Sequence, residues 1–335
     1  MTGTRDPLRI GVLGAARIAE LAIVSPARAT GSRLVAVAAR DRNRAEAFAA
    51  EHGVERVLAS YEDVLADPEV EAVYNPLPNA FHGPWNLAAG RAGKHVLSEK
   101  PFASNSEEAA EVRRGALEAG VVVVEGFHYL YHPVMHRLHT LLDTGALGEL
   151  RHVEATVVMP APDATDPRWS LELAGGALMD LGCYGLHAHR SLTPWGGGEP
   201  FLKGARAGER PGSPGVDEWL DADLGFPSGA TGRMYCQMAG DRWQMTLRIS
   251  GTQGEATAMN FVQPHLDDRV VIQTPDGTRT EHMGTRSSYV YQLEAFIVAI
   301  REGGPVRTGP DDAVATMHLI DLCYEASGLQ PRPRR

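Results

Sequence analysis

The sequence predicts an α/β protein in two parts: an N-terminal doubly wound parallel sheet, then an α/β domain whose sheet is mainly antiparallel. Three observations predict it. Between Leu8 and Glu125 short apolar, β-branched runs alternate with helical stretches, which is the rhythm of βαβ units. After Glu125 strand-like segments dominate, and Met245, Leu247 and Ile249 alternate with polar neighbours, the period of a strand with one buried face. The 335 residues, at roughly 150 per domain, make two domains.

Strands are expected at 9–13, 34–39, 72–75, 95–98 and 121–124. The unbroken Val run at 121–124 reads as a strand buried on both faces, as in a sheet covered by helices. Helices are expected at 43–52 and 105–119, with Asn105 as N-cap and Glu107 and Glu108 favourably placed in the first turn. A helix at 133–144 opens the second part. The strand around Met245 is taken to begin with Trp243 on its buried face. Residues 176–193 are too long for a strand and read as one helix. Half of residues 196–215 are Gly or Pro, so that segment reads as an irregular loop. A helix at 287–301 follows. The closing helix starts near Pro310, whose fixed φ suits a first helical position, with Asp311 and Asp312 complementing the dipole. Its stripe of Val314, Met317, Ile320 and Tyr324 needs a surface to cover. The expected division is 1–124 for the dinucleotide domain, 125–308 for the substrate and association domain, and 309–328 for the returning helix.

Composition narrows the partners. A net charge of −10 leaves no large basic face for nucleic acid, so small molecules are the expected ligands. Arg9, Arg17 and Glu20 interrupt the first apolar stretch, which spoils it as a signal peptide or membrane span. Cys183, Cys236 and Cys323 form no CxxC pair or disulfide framework, which suits a reducing cytoplasm.

The motifs carry the chemistry. The first strand runs into Gly14-x-Ala16-x-x-Ala19, a dinucleotide fingerprint with Ala replacing its second and third glycines. Gly14, Ala16, Arg17 and Ile18 would let backbone N–H groups at a helix start approach a pyrophosphate. After the second strand stands Arg40, where an enzyme using NAD usually carries an acidic residue. A guanidinium there favours a 2′-phosphate, hence NADP(H) over NAD(H), which remains possible. Asp41 then serves as a helix cap. Leu77, Pro78, Asn79 and His82 follow the strand at 72–75, and Glu99-Lys100-Pro101 follows that at 95–98. Carboxyl ends of strands are where such sheets bind ligands. By composition alone Lys100 reads as a solvated loop cation.

Together Gly14-x-Ala16-x-x-Ala19, Ala39-Arg40-Asp41, Glu99-Lys100-Pro101, Glu125-Gly126-Phe127 and the run Gly175 to Tyr184 resemble, in order and spacing, the Gfo/Idh/MocA oxidoreductases. The resemblance covers nearly the whole chain and is closest to the branch of dimeric dihydrodiol dehydrogenases and NADP-dependent xylose dehydrogenases. It implies hydride transfer between nicotinamide and a sugar, polyol or cyclic diol, with Lys100, Asp180 and Tyr184 as the catalytic set. It also implies a homodimer or homotetramer formed through the second sheet, and a last helix docked on the Rossmann domain. Residues i and i+4 share a helix face, so Asp180 and Tyr184 can point together into a cleft. Lys100 is favoured over Tyr184 as proton carrier, because burial and an oxidised nicotinamide would lower its pKa; Asp180 is cast as orienter. Leu130 stands where many relatives carry Arg, which makes His128 and Tyr129 candidates for substrate contact, with Trp169 a third.

His132, His136, His139, His187 and His189 offer metal-like spacings, but no carboxylate completes a triad and hydride chemistry needs no metal, so none is expected. Cys183 lacks a nucleophile's partners and reads as packing. A non-catalytic ligand-sensing regulator of the same fold is the alternative function; retention of Lys100, Asp180 and Tyr184 argues against it.

Overall fold

A computed structural model describes residues 6–335. Five short strands, β1 (Arg9–Leu13), β2 (Arg33–Ala38), β3 (Ala72–Asn75), β4 (His95–Ser98) and β5 (Val123–Glu125), form a wholly parallel sheet in the order β2-β1-β3-β4-β5. Val12, Val35, Val73 and Val96 have no exposed surface, as a sheet with helices on both faces requires. The chain leaves β1 for β2 on one side and returns as β3 on the other, so the carboxyl ends of β1 and β3 flank a topological switch point.

The second sheet has eight strands: β6 (Leu150–Pro160), β7 (Phe201–Glu209), β8 (Asp217–Gly225), β9 (Thr231–Gly240), β10 (Gln244–Gly251), β11 (Glu255–Ala258), β12 (Arg269–Thr274) and β13 (Gly277–His282). Their order is β13-β12-β11-β10-β6-β9-β8-β7, and all neighbours are antiparallel except β6 and β9. Val153, Ala155 and Val157 of β6 alternate into the core. The other face is polar and cross-paired, with Arg233 and Arg206 on Asp221 and Arg248 on Glu154.

Three sequence expectations need correction. The segment read as an irregular loop contains β7, the edge strand beside β8. Its Gly204 and Gly208 sit where the register shifts, so residues taken as loop punctuation are bulges. Trp243 precedes β10 and is 60% exposed; the alternation starts one step later, with Met245. The single helix expected at 176–193 is a π-helical segment, Leu178–Gly182, running into an α-helix, Cys183–Arg190, with a separate turn at Thr193–Gly196.

Two helices tie the sheets together. Pro310–Ala326 packs on helix Ser106–Ala119 of the first sheet, and also against β7 and helix Cys183–Arg190. Met317, Ile320 and Tyr324 are fully buried there, while Val314 is half-buried. Helix Ser288–Glu302 places Tyr289, Leu293 and Phe296 in one apolar cluster with Leu8, Ile10 and Ile23. The cover of the first sheet therefore draws on residues well past the boundary expected at 124.

Candidate active site

The turn after β1 puts Gly14 at φ +101°, with its N–H donating to Ala38 O at 2.7 Å. A Cβ at Gly14 would meet the Leu77 side chain at 3.1 Å, so both the backbone angle and the approach of the β3 turn require glycine. Ala16, Arg17 and Ile18 lead into the first helical segment, Ile18 packing against the apolar cluster and Arg17 largely exposed. Arg40 is exposed at the carboxyl end of β2 and makes no ion pair among the described residues. Arg44, which sequence reasoning overlooked, donates to Ala15 O at 2.9 Å and sets a second cation by this turn. Asp41 caps helix Arg42–His52 through Asn43 N, as expected.

At the end of β3, Asn79 reaches across to donate to Ala174 O at 3.0 Å. His82 lies buried between Leu77 O and Pro101 O, 2.6 Å from each ring nitrogen. Burial lowers its pKa to about 4 against the pull of both carbonyls. Its ring thus braces the Pro78 turn against the Lys100 segment.

Lys100 follows β4. Its ammonium donates to Asp180 O at 2.8 Å and to Asp180 Oδ1 at 3.0 Å, and lies 5.2 Å from the centre of the Tyr184 ring. The π turn does not defeat the expected convergence: Asp180 and Tyr184 both face Lys100. Arg168, missed from sequence, donates through Nε to Asp180 Oδ2 at 2.8 Å and also holds Asp166, which pairs with Arg17 at 3.3 Å. No periodicity links Arg168 to Asp180, because it sits in the short turn Pro167–Trp169; its one signal was adjacency to Trp169. A charged chain therefore runs from Arg17 beside the dinucleotide turn to Lys100.

The protonation of Lys100 reverses one expectation. Burial pushes its pKa down, but Asp180, Cys183 and Glu99 outweigh burial and the net shift is upward. Burial likewise opposes ionisation of Asp180, yet Lys100 and Arg168 carry its carboxyl down to about 2. Glu99, buried and hydrogen-bonded by Tyr74 Oη at 2.9 Å, is raised by that burial. Burial raises Tyr184 well above a free phenol.

Around Tyr184 the walls are aromatic. His128 Nε2 lies 3.4 Å from Tyr184 Oη, its Nδ1 is 2.8 Å from Ser288 Oγ, and its ring stacks on Tyr289 at 3.7 Å. Tyr129 is turned away from its expected role: fully buried, it spends its hydroxyl on His187 Nδ1 at 2.6 Å, while His187 Nε2 meets Asp312 at 3.0 Å. Trp169 is buried beneath Arg210, and its indole N–H has no partner among the described residues. Cys183 is buried, its thiol pushed up to about 12.

These groups all lie toward the carboxyl edge of a parallel sheet, as in dinucleotide-binding oxidoreductases. Residues 8–127 match the model of an oxidoreductase family with an NAD-binding Rossmann fold. Residues 135–257 match the GFO/IDH/MocA C-terminal domain, and the chain belongs to the Gfo/Idh/MocA oxidoreductase family. It is 34% identical to D-xylose 1-dehydrogenase (NADP(+)) 2 of Haloferax volcanii over 96% of this chain and 97% of that one. It is also 34% identical to dTDP-3,4-didehydro-2,6-dideoxy-alpha-D-glucose 3-reductase of Streptomyces violaceoruber, over 98% of both. The solved 3-ketoreductase of Actinomadura kijaniata, in complex with NADP and TDP-benzene, superposes with a TM-score of 0.87 at 28% identity, covering 96% of this chain and 98% of that one. That enzyme was also solved with a lysine changed to alanine or glutamate and with a tyrosine changed to phenylalanine.

The two cations on Asp180 set a pH signature. Because its folded pKa is depressed to about 2, below the ~3.9 of an unfolded aspartate, the pairing contributes stability fully above about pH 4 and loses it as pH falls toward 2. Urea midpoints of the wild type and Asp180→Asn should therefore differ most above pH 4 and converge below it. Parallel curves across that window would contradict the assignment.

Proposed function

We propose that the protein is an NADP-dependent oxidoreductase transferring a hydride between nicotinamide and a carbon bearing a hydroxyl or carbonyl of a sugar, polyol or related cyclic diol. The observation that carries this reading is the Lys100 ammonium, held at a strand's carboxyl end by Asp180 with Tyr184 beside it. In the relatives, a sugar dehydrogenase and sugar ketoreductases, the names point to the same chemistry, and lysine and tyrosine are the residue types altered in the ketoreductase variants.

The residues fit a dinucleotide. The Gly14 turn with Ala16, Arg17 and Ile18 would take the pyrophosphate, Leu77, Pro78 and Asn79 would wall the crevice opposite, and Arg40 would take a 2′-phosphate. Glu99 and Lys100 would border the nicotinamide end, and His82 would hold that border in place. When bound, the nicotinamide supplies or accepts the hydride. Lys100 has three N–H donors and Asp180 uses two; the third would stabilise charge building on the substrate oxygen. Tied to Asp180 through two of its three donors, Lys100 serves better as a fixed cation than as the proton carrier favoured from sequence. We assign the proton to Tyr184: its hydroxyl gives the proton to the alkoxide oxygen during reduction, and the phenolate so formed is held by the neighbouring ammonium. Trp169, whose buried indole N–H has no partner among the described residues, and His128 are assigned as the substrate contacts.

We also propose association through the open polar face of the second sheet, as a homodimer or homotetramer, and residence in a reducing cytoplasm, where three free cysteines persist. Among the described residues no helix is long and apolar enough to cross a membrane.

A panel of aldoses, ketosugars and aromatic trans-dihydrodiols, followed at the absorbance of reduced nicotinamide, should give turnover with NADP(H). Lys100→Met should lower kcat by about 10²–10³ while leaving NADPH binding nearly unchanged, and Tyr184→Phe should cost about 10²–10⁴. Near-normal turnover in both Lys100→Met and Asp180→Ala would refute the mechanism, and ligand binding without turnover across the panel would favour a sensor. A charge-assisted bond to phosphate is worth ~1.5–3 kcal/mol, so Arg40→Ala should shrink the NADP/NAD preference by roughly one to two powers of ten; an unchanged ratio would remove Arg40 from the site. Light scattering at micromolar concentration should show a multiple of the 36.1 kDa chain, and a monomer alone would refute association.

A further inference from the structure

Arg332, Asp217 and Tyr324 form a charged cluster with no part in the chemistry above. The Arg332 and Asp217 side chains have no exposed surface, and the guanidinium Nη2 lies 2.5 Å from Asp217 Oδ1. The Tyr324 hydroxyl donates to the same oxygen at 3.0 Å, and its ring lies 4.0 Å from the guanidinium carbon. A buried ion pair is weak evidence for stability, since its desolvation cost offsets most of the attraction. What the pair touches is more telling.

Arg332 Nε donates to Gly175 O at 2.7 Å and Nη1 to Gly215 O at 2.8 Å, while Asp217 Oδ2 accepts from Leu178 N at 2.6 Å. The bonds to Gly175 and Leu178 bracket the turn that opens the π segment. Gly176 has φ +129°, and a Cβ there would lie 2.0 Å from Asp217 Oδ1; the ion pair occupies the space a side chain would need. Asp180 N donates to Gly176 O at 3.0 Å, so the turn sets where Asp180 stands, and Asp180 holds Lys100. The Arg332 carbonyl in turn accepts from Asn105 Nδ2 at 2.8 Å, at the N-cap of helix Ser106–Ala119. Side chains from β8, from beyond the last helix and from the first sheet's cover thus meet under one turn.

We propose that Arg332 and Asp217 are positioning residues that fix the Gly175–Leu178 turn so that Asp180 meets Lys100. The inference rests on the assignment of Lys100 and Asp180 as the catalytic pair.

The test needs no substrate. The chain contains three lysines, Lys94, Lys100 and Lys203, and Lys203 is exposed, so acylation by an acetyl N-hydroxysuccinimide ester at pH 8, read by mass spectrometry, gives the Lys100/Lys203 rate ratio. Arg332→Met/Asp217→Asn removes both charges and leaves no orphaned ion, asparagine keeping the shape of aspartate; Arg332→Lys keeps the charge but cannot span three acceptors. Loosening Asp180 should free Lys100 by about one pKa unit, a roughly tenfold rise in free amine and in the labelling ratio. The double variant should show that rise, and Arg332→Lys a smaller one. A ratio within about twofold of wild type in either folded variant overturns the positioning role, with Asp180→Ala as the control that must raise it. The sugar panel decides the catalytic reading separately: with labelling raised and no turnover anywhere, the clamp stands and the oxidoreductase assignment falls.

Discussion

One carboxylate shared by two cations holds the site together. Asp180 receives Lys100 from the edge of the parallel sheet and Arg168 from the loop that follows β6, so a single buried group joins parts of the chain that no strand ladder connects. Lys100 and Asp180, both largely buried, would be costly apart; here Asp180 meets both cations, and the geometry of the proposed reacting centre follows from that. The sheet fixes where Lys100 can be, the π segment fixes where Asp180 can be, and the ion pair requires both to be right at once.

The same clustering decides which groups keep their protons. A lone buried lysine would shed its proton readily, which is the behaviour expected from the sequence. Asp180 cancels that tendency, and with Cys183 and Glu99 nearby the ammonium becomes harder to deprotonate than a free one. Tyr184, whose ring packs among Phe127, Tyr129 and His128, keeps its proton chiefly through burial, with Glu99, Cys183 and Asp180 acting in the same direction. The site pairs a permanent cation with a strongly protonated donor, an arrangement suited to meeting a developing alkoxide.

Much of this was legible in the sequence because it is local. The strands of the first sheet follow from β-branched runs, the cap at Asn105 from one side chain, and the convergence of Asp180 and Tyr184 from their spacing. What was not legible is non-local or depends on context. β7 was hidden by its glycines, which signal a loop unless the neighbouring strand β8 is known. Trp243 fits an alternating pattern, but the strand that carries it begins one residue later. Tyr129 was singled out by proximity to a motif, but its hydroxyl answers to His187, fifty-eight positions away. Arg168 and Arg332 carry no pattern at all: an arginine in a loop is assigned to solvent until the structure supplies its carboxylate.

The involvement of Arg332 has a consequence for biosynthesis. The first 125 residues contain the whole parallel sheet and the turn after β1, but the cover of that sheet is completed only by helices Ser288–Glu302 and Pro310–Ala326. The Gly175 turn cannot settle until a residue more than 150 positions later has left the ribosome and found Asp217. Nascent chains short of Arg332 would then hold the strands of both sheets but not the clamp that sets Asp180 against Lys100.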